Sequence, residues 1–295
     1  IGERGTLFVV ADGMGGAAAG ELASEMATDT IYAHLLKTWH AEDEATPQRF
    51  AYRLKEAVEV ANASIHAHAR AHPEVRGMGT TTTAAGVLAD HLYLTQVGDS
   101  RAYLIRGGEA HQLTKDQSLM QRLVEAGELT EEEAAHSERR NIILQALGPD
   151  PKVKVDLTHQ EVRRGDILVL CSDGLSGQVK KEEIARVVTA AADLSAACDE
   201  LIALANARGG PDNITVVVAR FDGDGLRHWA GGSREDVGHQ VYPLIDTETS
   251  TEPVPVYTGS RPPVSTSEAR DRTRMVVLGL LVVAAALVWY FTRSP

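Results

Sequence analysis

Thr6-Leu7-Phe8-Val9-Val10-Ala11-Asp12-Gly13-Met14-Gly15-Gly16 is the stretch from which the rest of the chain can be read. Leu7–Ala11 is a short, continuous apolar run and reads as a buried strand. The glycine-rich turn after it places the carboxylate of Asp12 at the strand end. A helical pattern then runs from about Gly20 to Trp39, and a second helix from about Gln48 to Arg70 is entered through Pro47, whose fixed φ suits a first helical turn. One strand is thus followed by two helices in succession.

Beyond Gly77-Met78-Gly79 the pattern turns to β: Thr80–Ala89, Leu92–Val97, Arg101–Ile105 and Ala110–Leu113, with turns at Asp90-His91 and Gly107-Gly108. Short runs joined by tight turns imply antiparallel pairing. A mixed stretch follows, with one helix expected at Leu119–Ala126 and another capped by Thr130, whose Glu133 completes a capping box; it is expected to form a flap over the sheet. Strands are expected again at Val153–Leu157 and Ile167–Cys171, helices at Lys181–Ala191 and Leu194–Ala207, and a last strand at Ile214–Phe221. Periodicity ends near Asp222, so residues 1–222 read as the folded domain.

With 295 residues and 43% hydrophobic content the chain can bury a full core. An excess of 41 acidic over 29 Lys and Arg residues, with no basic cluster, argues against a nucleic-acid partner. Cys171 lies in an apolar run and Cys198 in a helical pattern, so neither suggests a disulfide framework or a zinc site, which fits a reducing cytosol. Ile1 is close to the run Leu7–Val10 and is not a start methionine, so the chain is expected to begin inside a larger protein; no signal peptide is read at its start. Residues 223–273, rich in Gly, Ser, Thr, Pro and charge, read as a disordered linker. Within 274–292, Met275–Phe291 is an uncharged apolar run of 17 residues, flanked by Arg270, Arg272 and Arg274 before it and Arg293 after it, with Trp289 and Tyr290 near its end. That is the pattern of a single membrane span with the domain in the cytoplasm and the C-terminus outside.

Three aspartates occupy equivalent places: Asp12 ends a strand, Asp173 ends Ile167–Cys171, and Asp212 precedes Ile214–Phe221. Carboxylates gathered at strand ends, with no His or Cys beside them, make a hard oxygen site suited to Mg²⁺ or Mn²⁺. Gly13, without a side chain, lets a backbone carbonyl approach such an ion. Asp-Gly alone is a common turn dipeptide; the recurrence is what points to a site.

The five motifs Ala11-Asp12-Gly13-Met14-Gly15-Gly16, Gly77-Met78-Gly79-Thr80-Thr81, Val97-Gly98-Asp99-Ser100-Arg101, Cys171-Ser172-Asp173-Gly174-Leu175 and Gly210-Pro211-Asp212-Asn213-Ile214 resemble, in order and spacing, those of the bacterial branch of the protein phosphatase 2C (PPM) family. The resemblance covers about Thr6–Phe221. It implies an α+β fold, a four-layer α-β-β-α sandwich of two antiparallel sheets between helices. It also implies a two-metal site of Asp12, the Gly13 carbonyl, Asp173 and Asp212, with Asp99 and Asp173 at a third ion; the alternative for Asp99 is a turn carboxylate pairing with Arg101. The activity implied is hydrolysis of phosphoserine and phosphothreonine in proteins by a metal-activated water, with no protein nucleophile, opposing a bacterial serine/threonine kinase on its targets. The family's phosphate-binding arginine and one acidic ligand precede the first matched strand and are expected before Ile1. Met14 stands where many eukaryotic members have a histidine general acid, so the proton donor is unassigned.

Three other readings compete for these residues. Gly13-x-Gly15-x-x-Ala18 after a strand imitates the fingerprint of a dinucleotide-binding oxidoreductase, but Asp12 would face the pyrophosphate and a helix replaces the next strand. A cysteine phosphatase needs Arg six positions after its cysteine, where Cys171 has Gly177. A degenerate phosphatase domain acting as a membrane-tethered binding module has no reason to keep three clustered carboxylates.

Overall fold

In the computed structural model the described residues are 1, 5–42, 44–231 and 237–245, all within the unit Ile1–Thr258. Strand β1, Thr6–Val10, leads through the two-residue strand β2, Gly13–Met14, into helix α1, Ala17–His40, and helix α2, Pro47–Ala71. The apolar residues of α1 recur every fourth position, Ala23, Ala27, Ile31, Leu35 and Trp39, all buried; Phe50, Leu54, Val58, Ala61 and Ile65 form the matching stripe on α2. Thr46 caps α2 by accepting the Arg49 amide, and Pro47 begins it as its fixed φ suggests.

After a 3₁₀ turn at Pro73–Val75 come β3 (Gly79–Thr80), β4 (Thr82–Leu88), β5 (His91–Val97), β6 (Arg101–Arg106) and β7 (Glu109–Gln112). Helices α3 (Leu119–Glu125) and α4 (Glu131–His136) follow, and α4 carries the Thr130/Glu133 capping box. The chain continues through β8 (Asp156–Glu161), β9 (Ile167–Cys171), the single turn α5 (Asp173–Ser176), α6 (Lys181–Ala190), α7 (Leu194–Ala207) and β10 (Val216–Arg220).

Two antiparallel four-stranded sheets result, ordered β1-β4-β5-β8 and β10-β9-β6-β7, with β2 and β3 forming a small ladder of their own. Alternation along the strands feeds three cores. On β9, Leu168 and Leu170 meet Leu92, Leu94, Ala102 and Leu104 between the sheets. Ile167, Val169 and Cys171 face Ile184, Val188 and Leu201 of α6 and α7. Tyr93 joins Trp39, Phe50 and Leu54 under α1 and α2. Sheets covered on both faces explain why β9 reads as a continuous apolar run. Each fully buried Leu or Ile contributes about 1.5–3 kcal/mol, so these cores outweigh the few kcal/mol that unpaired polar groups at a sheet end can cost.

The antiparallel pairing of β1 with β4, Val10 opposite Thr83, rules out the parallel dinucleotide-binding arrangement. The strand expected at Val153–Leu157 is displaced: pairing with β5 starts at Asp156 and runs to Glu161. The mixed stretch with α3 and α4 is tied at its base by hydrogen bonds from Leu144 to Gln117 and from Leu147 to Thr80 of β3. Ordered packing also passes the expected limit at Asp222. Leu226 and Val237 pack on the inter-sheet core, Tyr242 and Leu244 on the helix-covered one, and Gln240 and Tyr242 bond the backbone of His159 and Leu157 along the open edge of β8. No helix among the described residues is long and apolar enough to cross a membrane; Met275–Phe291 and most of the expected linker lie outside the described residues.

Candidate metal centre

The expected ligand residues come from strand ends at one end of the sandwich. Asp12 follows β1, Asp99 lies in the β5–β6 turn, Asp173 follows β9, and Asp212 sits in the loop before β10. Backbone approaches that only glycine allows bring these loops in. A side chain at Gly13 would collide with the carbonyl of Gly20 in α1, and one at Gly174 with the carbonyl of Asn213. The two Asp-Gly pairs are therefore joints between elements as well as turns.

Hydroxyl groups then clamp the carboxylates in two pairs. Thr81 Oγ1 accepts the Asp12 amide at 3.0 Å, the Thr81 amide donates to the Asp12 carbonyl at 2.9 Å, and Thr81 Oγ1 shares a 2.8 Å hydrogen bond with Ser100 Oγ, next to Asp99. Thr80 Oγ1 donates to the same Asp12 carbonyl at 2.9 Å. On the second sheet Ser172 Oγ donates to the Asn213 carbonyl and accepts the Thr215 amide, both at 3.0 Å, locking the Asp212 loop to Asp173.

Asp12 and Asp173 are half-buried and within hydrogen-bond reach of each other, Asp99 is buried and Asp212 is exposed. Burial, and after it the charge of its carboxylate neighbours, raises the pKa of the Asp12–Asp173 pair. Asp99 is pushed up to about 7 by burial first, then by Asp173 and Asp116. Arg101 offsets this only in part: the guanidinium grips Asp116 at 2.7–3.1 Å and forms no ion pair with Asp99, so the turn-pairing alternative for Asp99 is not formed. Oδ1 of Asp173 is buried with no hydrogen-bond partner. Among the described residues no three acidic, His or Cys side chains converge tightly enough to enclose an ion by themselves. An orphaned buried oxygen and raised pKa values in an all-oxygen donor set fit a hard divalent cation.

The sequence profile described as Protein phosphatase 2C matches residues 1–209. The chain belongs to the protein phosphatase 2C family. It is 42% identical over 213 residues to the serine/threonine protein phosphatase PstP of Mycobacterium tuberculosis (strain H37Rv), which covers 72% of this chain and 40% of that protein. It is 38% identical over 218 residues to the serine/threonine phosphatase stp of Listeria monocytogenes, covering 73% of this chain and 84% of the relative. A crystal structure of the catalytic domain of PstP in complex with two manganese ions superposes with a TM-score of 0.62 at 40% identity, over 72% of this chain and 86% of that one. The chain thus spans about 40% of the length of the PstP relatives.

Within this protein phosphatase 2C domain, motif reading found the carboxylates but not the groups that hold them. The roles of Thr80, Thr81 and Ser172 inside the quoted motifs, and the capture of Arg101 by Asp116, depend on which loops meet. The signal that could have found the hydroxyls is their density: four threonines stand in a row at Thr80–Thr83, more than a strand needs.

Proposed function

We propose that this chain is the catalytic part of a protein serine/threonine phosphatase that uses Mn²⁺ or Mg²⁺ and is tethered to the cell membrane through Met275–Phe291, its domain in the cytoplasm. The observation that carries the catalytic reading is the orphaned Asp173 oxygen amid carboxylates that form no ion pair with Lys or Arg among the described residues. Asp12, the Gly13 carbonyl, Asp173 and Asp212 would hold two ions, and Asp99 with Asp173 a third. When bound, such ions supply positive charge for the phosphoryl oxygens and lower the pKa of water.

The chain's own residues decide what attacks. The hydroxyls beside the carboxylates are engaged: Thr80 and Ser172 donate to backbone carbonyls, and Thr81 and Ser100 bond each other. Cys171 is fully buried, and burial pushes its thiol up to about 12. None is a free nucleophile, which leaves water to attack phosphorus in line, releasing phosphate and the serine or threonine hydroxyl. Rigid loops hold the carboxylates in place before substrate arrives, so little reorganisation is needed at the moment of reaction.

The named activities of PstP and stp support phosphorylated proteins as substrates, and a bacterial serine/threonine kinase with its targets is the pairing proposed. The membrane tether rests on the apolar run and the arginine asymmetry around it. Phosphate release from phosphoserine and phosphothreonine peptides by the full chain should require Mn²⁺ or Mg²⁺; turnover that survives EDTA overturns the catalytic reading. A reporter active only outside the cytoplasm, fused after Pro295, should work, and fused at Asp222 should not; the reverse overturns the topology.

A further inference from the structure

We propose that the end of the sandwich opposite the carboxylates binds a small anion carrying a flat ring, of the mononucleotide class, in a cavity of about 960 Å³ lined by Arg227 and Trp229. His91, on the cavity wall, opens β5, whereas Asp99 lies just beyond that strand's other end at Val97. Six residues of extended chain put about 20 Å between the two places, so the cavity is a separate site. Its volume is within the range that holds small organic ligands.

Two of the arginines around this cavity are committed internally. Arg106 spends its guanidinium on Asp166 and the Glu161 carbonyl, and Arg163 pairs with Glu161 at 2.8 Å. Arg227 is exposed and has no ion pair or side-chain hydrogen bond among the described residues; Asp90 feels its charge but is held by His91 Nδ1 at 2.8 Å, which leaves the guanidinium's hydrogen bonds for an outside anion. A guanidinium is the side chain best shaped to grip a phosphate with two parallel hydrogen bonds.

The second group is Trp229, which stays 46% exposed while its ring rests on the backbone at Gly107. Core packing does not account for an indole held there, but a stacking platform for a planar ring does. Geometry links the two. His228 forms a bridge with Arg164, so the backbone here is extended, and residues 227 and 229 project to the same side about 7 Å apart. That spacing suits a phosphate on Arg227 and a base on Trp229. His91 and His159, their rings near parallel at 6.5 Å, add hydrogen-bonding groups for the ring edge at the cavity wall. Inorganic phosphate would forgo the indole, and a nucleoside the guanidinium.

Calorimetric titration of the full chain in EDTA, which silences the carboxylate site, tests this with adenosine 5′-monophosphate, adenosine and inorganic phosphate as probes. The nucleotide should bind once per chain, with the nucleoside and phosphate each at least tenfold weaker. Arg227→Ala, an exposed change, should weaken the nucleotide at least tenfold, and Trp229→Leu likewise at an unshifted melting temperature. Phosphopeptide hydrolysis with Mn²⁺ should be unchanged in Arg227→Ala, and Asp173→Asn should bind the nucleotide as the parent does. No saturable heat at millimolar nucleotide, affinity kept in Arg227→Ala, phosphate binding as tightly as the nucleotide, or loss of binding in Asp173→Asn would each overturn the proposal.

Discussion

At the end of the sandwich where β6 closes and β9 begins, Asp166 is 2% exposed and is gripped by Arg106 at 2.6 and 2.9 Å, with the remaining guanidinium hydrogen bond going to the Glu161 carbonyl. At the other end Asp12, Asp99 and Asp173 are also withdrawn from water, yet the nearest guanidinium, Arg101, is committed to Asp116, and burial and mutual repulsion raise all three. The same two sheets thus neutralise a carboxylate internally at one end and leave several unneutralised at the other. A carboxylate kept for the fold comes with its own cation; one kept for a ligand waits for it.

The contrast can be broken from either side. Arg106→Leu strips Asp166 of its partner and should cost about 3–5 kcal/mol in chemical denaturation, as removal of one member of a buried pair does, while Mn²⁺ binding per folded molecule is kept. A loss below about 1 kcal/mol would mean that the distal pair does little for the fold. Ser172→Ala unlocks the Asp212 loop and leaves the Thr215 amide and Asn213 carbonyl without their hydroxyl; stability should fall about 1–3 kcal/mol and Mn²⁺ affinity with it, whereas unchanged affinity would make the clamp purely structural.

Asp99→Asn should act with the opposite sign. An unfolded aspartate ionises near 3.8, but folded Asp99 keeps its proton to about 7, so metal-free stability falls as pH rises between those values and stays lower above them. Asn carries no such penalty, and in EDTA at pH 8 the variant should be stabilised by about 1–2 kcal/mol, a destabilisation being the contrary result. The smallest effect is on binding: the Asp12–Asp173 pair must shed protons to take a cation, so Mn²⁺ affinity should tighten about tenfold from pH 6 to 8, with proton release seen by calorimetry in two buffers. A flat pH profile would count against the raised pair.

Much of this was legible because the chemistry is local. Asp12, Asp99, Asp173 and Asp212 sit in short glycine-bearing motifs at strand ends, so their place could be read without knowing what packs where. What escaped depends on distant partners. Arg106 and Asp166 are 60 residues apart and each reads alone as a surface charge. The alternation of Val153, Val155 and Leu157 begins before pairing does, while the paired residues Thr158 to Glu161 are polar, because β8 is an edge strand later covered by residues 240–242. That segment reads as linker by composition; only Tyr242 and Leu244 hint that it packs.

The central claim is that the unneutralised carboxylates form a cation site, and Mn²⁺ titration of the full chain beside Asp173→Asn and Arg106→Leu tests it most directly. The parent and Arg106→Leu should each bind at least two ions per folded molecule, and Asp173→Asn should lose them. Equal binding in Asp173→Asn and the parent would contradict the assignment of this end of the sandwich as the metal centre.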